Sequence, residues 1–274
     1  MINADSAQLY RDLPILSAAP SPADRARVEH RLYGSRDGAD PCSAAEWAAL
    51  ARAEIDALHA ESRLPILVGG TGLYLRTLLD GIAPVPPIDS SIRADVRAAS
   101  VAENLAALTP LDPCAAASLN PGDTTRIARA LEVVRSTGRT LAEWQKHRAG
   151  GITDRITLRP VILIPPRDWL VERCDRRFAA MVEEGALEEV AALLARKLDP
   201  ALPVMRAIGV AELGAHLRGE ASLDHAIGAG QIATRRYAKR QYTWFANQPP
   251  AEWPRLTEPL GDLAPALALF DASG

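Results

Sequence analysis

Apolar residues along this chain follow two rhythms, and the changes between them divide it. Residues 64–79, LPILVGGTGLYLRTLL, hold both in succession: Leu64, Ile66, Leu67 and Val68 form a short run of strand character, Gly69 and Gly70 interrupt it, and residues 73–79 continue at helical spacing. The prediction is strand, tight turn, helix. Upstream, a short apolar start ending at Ile2 gives way to the polar Asp5 and Ser6. Residues 11–40 are rich in Pro, Asp, Arg and Gly and predict a long surface connection with little regular structure. His30 within it reads as a structural hydrogen-bond former. Ser43 and Glu46 make a capping box, and Trp47, Leu50, Ala51 and Ile55 carry helical periodicity to about His59.

Pro84, Pro86 and Pro87 then stiffen the chain and mark a boundary. Residues 89–148 have helical periodicity only, with starts at Asp89, Asp112 and Asp123 and a further capping box at Thr140 and Glu143, which predicts a helical insertion. Within it Arg126, Arg129, Glu132 and Arg135 recur every third residue, and the pattern alone reads as one solvated ridge. Residues 156–164, ITLRPVILI, restore β-character. Helices are predicted over 168–180 and 186–198, with Arg173, Arg176 and Arg177 forming salt bridges to Glu183, Glu184, Glu188 and Glu189. Ser222 opens a last long helix to about Phe245, and an apolar run at 263–270 is expected to pack at the periphery.

Composition narrows the picture. With 274 residues, 48% hydrophobic and 24% charged, the chain can bury one large core or a core with a smaller insertion. A net charge of −3 argues against binding nucleic acid through bulk charge, so any such contact must be local. Cys42, Cys114 and Cys174 are odd in number and widely spaced, suggesting neither a disulfide framework nor a zinc site. A reducing, cytoplasmic setting is expected, with no leader and no apolar run near the roughly 20 residues a membrane span needs.

Three places can carry chemistry. Gly69 and Gly70 would allow positive φ and close approach to a ligand, and Thr71 follows where the first helical amides are unpaired, a place for an anion with a hydroxyl beside it. Asp5, Ser6 and Gln8 follow a short strand, where open αβ sheets bind ligands; Asp5 could equally cap a following helix. The last helix sets Gln231, Arg235 and Lys239 at one i,i+4 spacing and Arg236 and Arg240 at another, interleaved with Tyr237, Tyr242, Trp244 and Phe245. This is either a core face with a solvated cationic side or a clamp on a phosphate backbone.

Four segments in order, DSAQLY at Asp5, LPILVGGTGLYL at Leu64, DTTRIARALEV at Asp123 and ATRRYAKRQYTWF at Ala233, resemble the tRNA dimethylallyltransferases. SAAEW at Ser43, STGRTL at Ser136 and MRAIG at Met205 fall between them in the same order, and the similarity spans residues 1–245. The resemblance implies an α/β fold, a P-loop NTPase-like parallel-sheet core over 1–87 and 156–274 with an all-helical, tRNA-binding insertion over 88–155. It implies Asp5 as general base and Thr71 as the hydroxyl on the diphosphate leaving group. The tRNA contacts it implies are Asp5, Ser6, Ala7, Gln8, Arg93, Thr125, Arg126, Ile127, Ala128, Arg129, Arg235, Arg236, Lys239 and Arg240, with Arg206 facing diphosphate or substrate. The implied partners are a tRNA anticodon stem-loop and dimethylallyl diphosphate, with Mg2+ as cofactor, in a monomer without membrane attachment.

The chain departs from the family in lacking a G-x-x-x-x-G-K-[ST] phosphate loop before the DS motif. Lys146, Lys197 and Lys239 follow Gln, Arg and Ala, so none can stand in. Smaller departures are Ala19, Val210 and Ala246, where lysine, tyrosine and arginine are common. Either Met1 is an internal start of a longer product or the chain is a truncated one, and the 274 residues alone are expected to be inactive or nearly so. Two other classes stay open: a catalytically dead tRNA-binding remnant, and a small-molecule P-loop kinase, which would need neither the arginine ridge nor the basic helix.

Overall fold

The computed structural model describes residues 1–259, so the apolar run expected at 263–270 lies outside the described residues. In it, Ile2–Asn3 (β1) runs parallel to Leu67–Val68 (β2), with Ile2 opposite Leu67 and Asn3 opposite Val68. Ile162–Leu163 (β3) runs parallel to Arg255–Leu256 (β4). The expected parallel core is thus found as two separate parallel pairs rather than one continuous sheet. The β-runs are also shorter than the apolar pattern predicts. Pro65 stands before β2, and Pro160 and Pro165 flank β3, and proline cannot donate to a ladder. The other edge of β1 is taken by Arg31, whose amide donates to Met1 O at 2.8 Å and whose carbonyl accepts from Asn3 N at 3.0 Å.

The helices follow in chain order: Pro22–Arg27 (α1), Ala44–Ala60 (α2), Gly72–Asp80 (α3), Ser90–Ala98 (α4), Val101–Leu108 (α5), Pro113–Ser118 (α6), Thr124–Thr137 (α7) and Leu141–Gln145 (α8). After β3 come Arg167–Glu183 (α9), Ala186–Ala195 (α10), Val210–Leu217 (α11) and Leu223–Asn247 (α12). Both predicted capping boxes are present, Ser43 with Glu46 and Thr140 with Glu143, and Asp89, Asp112, Asp123 and Ser222 cap their helices. Residues 11–40 hold α1, which a capping box of Ser21 and Asp24 opens. Another box, Ser100 with Glu103, opens α5. His30 does have a structural place, its Nδ1 2.8 Å from Val28 O and its ring edge-on to Tyr33.

The chain divides into two compact units, one of Met1–Arg76 with the described part of Arg155–Gly274, the other of Thr77–Asp154. The second begins earlier than the proline-rich stretch, inside α3. Its core is Val96 of α4, Leu108 of α5 and Ile127, Ala128, Ala130, Leu131 and Val134 of α7. The chain enters and leaves it side by side, since Ile82 and Ala149 exchange two backbone hydrogen bonds of 3.0 Å.

In the larger unit α12 packs on α9 and α11, and α10 on α11. Helices α9 and α12 meet at Gly230, where a Cβ would lie 2.1 Å from Phe178 Cζ. The predicted pairing of the α9 arginines with the downstream glutamates is not formed. Arg176 pairs with Glu172 of its own helix, and Glu189 instead accepts from the Ile15 and Leu16 amides at 2.7 and 2.9 Å. Among the described residues no helix is long and apolar enough to cross a membrane.

Candidate active site

β1 ends at Asn3, and the chain turns at once through residues 4–8. Asn3 is fully buried and holds the turn with both ends of its side chain: Oδ1 accepts from Asp5 N at 2.8 Å, and Nδ2 donates to Asp5 O at 2.9 Å and Leu32 O at 3.1 Å. Its own carbonyl accepts from the Trp47 indole at 2.9 Å. Asp5 caps no helix. Its Oδ1 accepts from Ala7 N at 2.8 Å, an Asx turn that fixes the carboxylate. Neither the two-residue strand nor its periodicity singles out Asn3 in the sequence, and its burial is visible only in the structure.

Thr71 meets this turn from the other side. Its Oγ1 accepts from Ser6 N at 3.0 Å and lies 3.3 Å from Ser6 Oγ, while its amide donates to Ala4 O at 3.2 Å. Gly69 and Gly70 do not take the positive φ expected of them. They are glycine because there is no room: a Cβ on Gly69 would lie 2.2 Å from Ala4 C, one on Gly70 2.2 Å from Gln241 Nε2, and one on Gly72 2.4 Å from the Trp244 ring. Helix α12 therefore presses on the loop, and Gln241 Nε2 donates to Gly70 O at 3.0 Å. Tyr237 lies one turn earlier on α12, and burial, followed by the Asp5 charge, pushes its phenol pKa up.

A cavity of about 350 Å³ opens beside this junction. Asp5, Ser6, Tyr237 and Thr234 line one part, Leu13, Leu16, Phe178, Met181 and Val204 an apolar part, and Arg177, Arg206 and Arg240 supply cations. The sequence names Arg177 only as a salt-bridge former and Tyr237 only as an aromatic interleaved with the cations of the last helix; the structure places both on the cavity wall. The wall at 13–18 is held by Glu189 on the amides of Ile15 and Leu16, and by Gln8, whose Nε2 donates to Ser17 O at 3.0 Å and Ala18 O at 2.9 Å. Asp12 fixes its base through Gly38 N at 2.7 Å and an ion pair to Arg196.

The basic residues of α12 separate by task. Arg236, Lys239 and Arg240 are all exposed, but of the three Arg240 alone lines the cavity, its guanidinium 5.4 Å from the Tyr237 ring centroid. Arg235 is turned away onto Asp175 of α9 at 2.7 Å, so its charge serves helix packing.

In the helical unit, Arg93, Thr125 and Arg126 are exposed. Ile127 and Ala128, expected as tRNA contacts, are 0% and 2% exposed in the core and present no side chain to a ligand. Glu132 is also inward, 1% exposed. Steps of three residues fall back about 60° per step on a helix, so the four positions of the expected ridge wind around α7 instead of sharing one face.

The residues 8–248 match the IPP transferase family model. The tRNA dimethylallyltransferase of Sphingopyxis alaskensis is 60% identical over 270 residues, covering 98% of this chain and 88% of that one. That of Novosphingobium aromaticivorans is 59% identical, covering 93% and 91%. Among solved structures, the full-length tRNA isopentenylpyrophosphate transferase of Bacillus halodurans superposes with a TM-score of 0.68 at 31% identity, covering 99% of this chain and 84% of that one. A eukaryotic dimethylallyltransferase acting on tRNA superposes with 0.74 at 26% identity, covering 89% and 62%. The chain belongs to the IPP transferase family.

Proposed function

We propose that this chain transfers a dimethylallyl group from dimethylallyl diphosphate to the exocyclic amine of the adenine on the 3′ side of the tRNA anticodon, releasing diphosphate. The observation that carries the reading is that Asp5 and Ser6, the latter bonded to Thr71, line a cavity with apolar walls and arginines, since the donor pairs a small apolar group with a polyanion.

An exocyclic adenine amine is a poor nucleophile because its lone pair is delocalised into the ring. Asp5 accepts its proton as the nitrogen attacks the allylic carbon. The carbon–oxygen bond breaks, negative charge grows on diphosphate, and the Thr71 hydroxyl with Arg206 and Arg240 offsets it. The target base leaves its stack to reach the pocket, at a cost of a few kcal/mol. Among the described residues no group of three or more His, Cys, Asp or Glu side chains could hold a metal ion. A Mg2+ arriving with the donor would therefore take its ligands chiefly from phosphate oxygens and water, beside the Ser6 and Thr71 hydroxyls. When bound it neutralises charge on the leaving group.

The test incubates the 274-residue chain, and any longer in-frame product of the same gene, with labelled dimethylallyl diphosphate and unmodified tRNA. Label on the anticodon-adjacent adenine supports the reading. Binding of tRNA with neither label transfer nor diphosphate release in any product makes the chain a binding remnant, and phosphate transfer to a small molecule makes it a kinase.

A further inference from the structure

Of the turn formed by residues 5–8, Asp5, Ser6 and Ala7 line the cavity and Gln8 does not. Gln8 is tied to its surroundings in two directions. Its backbone amide donates to Asp5 Oδ1 at 3.4 Å, and its side-chain Nε2 donates to Ser17 O at 3.0 Å and Ala18 O at 2.9 Å. A carboxamide nitrogen has two hydrogens, so none is left to donate to a nucleotide.

The wall segment it holds is a turn with costs of its own. Ala18 N donates to Ile15 O at 2.8 Å and Ala19 N to Pro14 O at 2.9 Å. These are the paired bonds of a Schellman motif, in which the residue in the place of Ala18 is usually glycine. Here it is alanine at φ 52°, a left-handed conformation that a Cβ disfavours. Ser17 Oγ is also buried, with no hydrogen-bond partner among the described residues, which is a second cost of the same turn. Leu13, Leu16 and Ser17 nevertheless line the cavity, so the turn is fixed from outside. Glu189 accepts from the Ile15 and Leu16 amides, and Gln8 donates to the two carbonyls that follow.

We propose that Gln8 is a positioning residue for prenyl transfer, holding the left-handed turn of the 13–18 wall in place, and that it does not touch RNA. This rests on the prenyl-transfer reading above and replaces the RNA contact that the sequence resemblance implies for Gln8. Because its backbone also bonds the Asp5 carboxylate, one residue sets both the proposed base and the apolar wall.

The two roles separate in kinetics. Loss of an RNA contact raises the Kd for RNA, whereas loss of a wall clamp lowers kcat and leaves RNA affinity alone. The strain supplies a rescue: glycine is at ease at φ 52°, so Ala18→Gly lets the wall hold itself and makes Gln8 partly dispensable. The experiment measures thermal melts, affinity for an anticodon stem-loop RNA and steady-state prenyl transfer. It compares Gln8→Ala, Ala18→Gly and the double variant, in the 274-residue chain and in any longer in-frame product of the gene. Gln8→Ala is expected to lower the melting temperature by about 2–4 °C and kcat on the order of tenfold, with RNA affinity unchanged. In the Ala18→Gly background both losses shrink. Ala18→Val, which adds strain with Gln8 in place, is expected to repeat the kcat loss, so the matter is decided even if Gln8→Ala fails to fold. Weaker RNA binding by Gln8→Ala with kcat unchanged makes Gln8 a contact and overturns the inference. An unaltered kcat with unaltered RNA affinity overturns it as well. If no product transfers label, the prenyl-transfer reading falls and takes this role with it. Transfer combined with melts in which positions 8 and 18 act independently overturns the inference alone.

Discussion

Asn3 and Asp5 are joined by two hydrogen bonds across one residue: the Asn3 carboxamide accepts from the Asp5 amide at 2.8 Å and donates to the Asp5 carbonyl at 2.9 Å. The amide is fully buried, so the backbone carrying the proposed base cannot rotate without leaving polar groups unpaired. Asn3→Ala is expected to cost about 1–3 kcal/mol of stability and to lower kcat for prenyl transfer by about 10²-fold, with a smaller change in KM for tRNA. Asn3→Asp, which keeps the acceptor but loses the donor, should fall between. Steady-state kinetics and chemical denaturation check this; an unchanged kcat would separate Asp5 from the chemistry or Asn3 from Asp5.

Arg235 and Arg240 lie on one helix but answer to different partners. Arg235→Gln is expected to destabilise by about 0.2–1 kcal/mol, the range of partly exposed ion pairs, with little effect on RNA or donor affinity. Arg240→Gln should leave the melting temperature unchanged and weaken binding of the donor or RNA. Melting curves and binding isotherms on the two variants distinguish these outcomes.

Two glycines of α12, two residues apart, predict opposite responses. A Cβ at Gly228 meets nothing within 4 Å, and glycine inside a helix is unfavourable, so Gly228→Ala is expected to stabilise by about 0.8–1 kcal/mol. At Gly230 the same atom would lie 2.1 Å from the Phe178 ring, and Gly230→Ala is expected to destabilise by about 1–3 kcal/mol. Urea denaturation midpoints measure both.

Burial raises the pKa of Glu189 above its ordinary 4.5, against the pull of the two amides it accepts from. The folded state then holds the proton to higher pH than the unfolded chain, so the stability this group contributes is present below the ordinary value and lost as pH rises through the raised one. Glu189→Gln has no such proton. The melting temperature of the unaltered chain, relative to Glu189→Gln, is expected to fall as pH rises from about 4 toward neutrality; a difference that does not move with pH would remove burial as the dominant influence.

Helix boundaries were the most legible part of the fold, because capping is local: Ser43, Asp89, Asp123, Thr140 and Ser222 each announce a start within three residues of a bonded amide. Ser100 and Glu103 carry the same signature and were equally readable. Strand extent was not, because pairing depends on partners remote in sequence. The site was legible as segments, Asp5 to Gln8 and the glycine loop, but not as a geometry. Gly69 and Gly70 look like ligand glycines and are shaped by Ala4 and Gln241, and Ile127 and Ala128 sit inside a matching motif whose pattern hides that they face the core. Glu132 illustrates the limit: a charged residue in an arginine-rich stretch reads as solvated until the neighbouring helix is placed over it.

The pressure of α12 on the glycine loop has an evolutionary consequence. Gly70 with Gln241 and Gly72 with Trp244 are contacts between positions about 170 apart in sequence, and a Cβ at position 72 would run into the Trp244 ring. Drift at position 72 is therefore open only to lineages that change position 244, so a relative carrying a side chain at position 72 is expected to carry a smaller residue at 244. The loop and the helix inherit their variation together, as if they were a single stretch of chain.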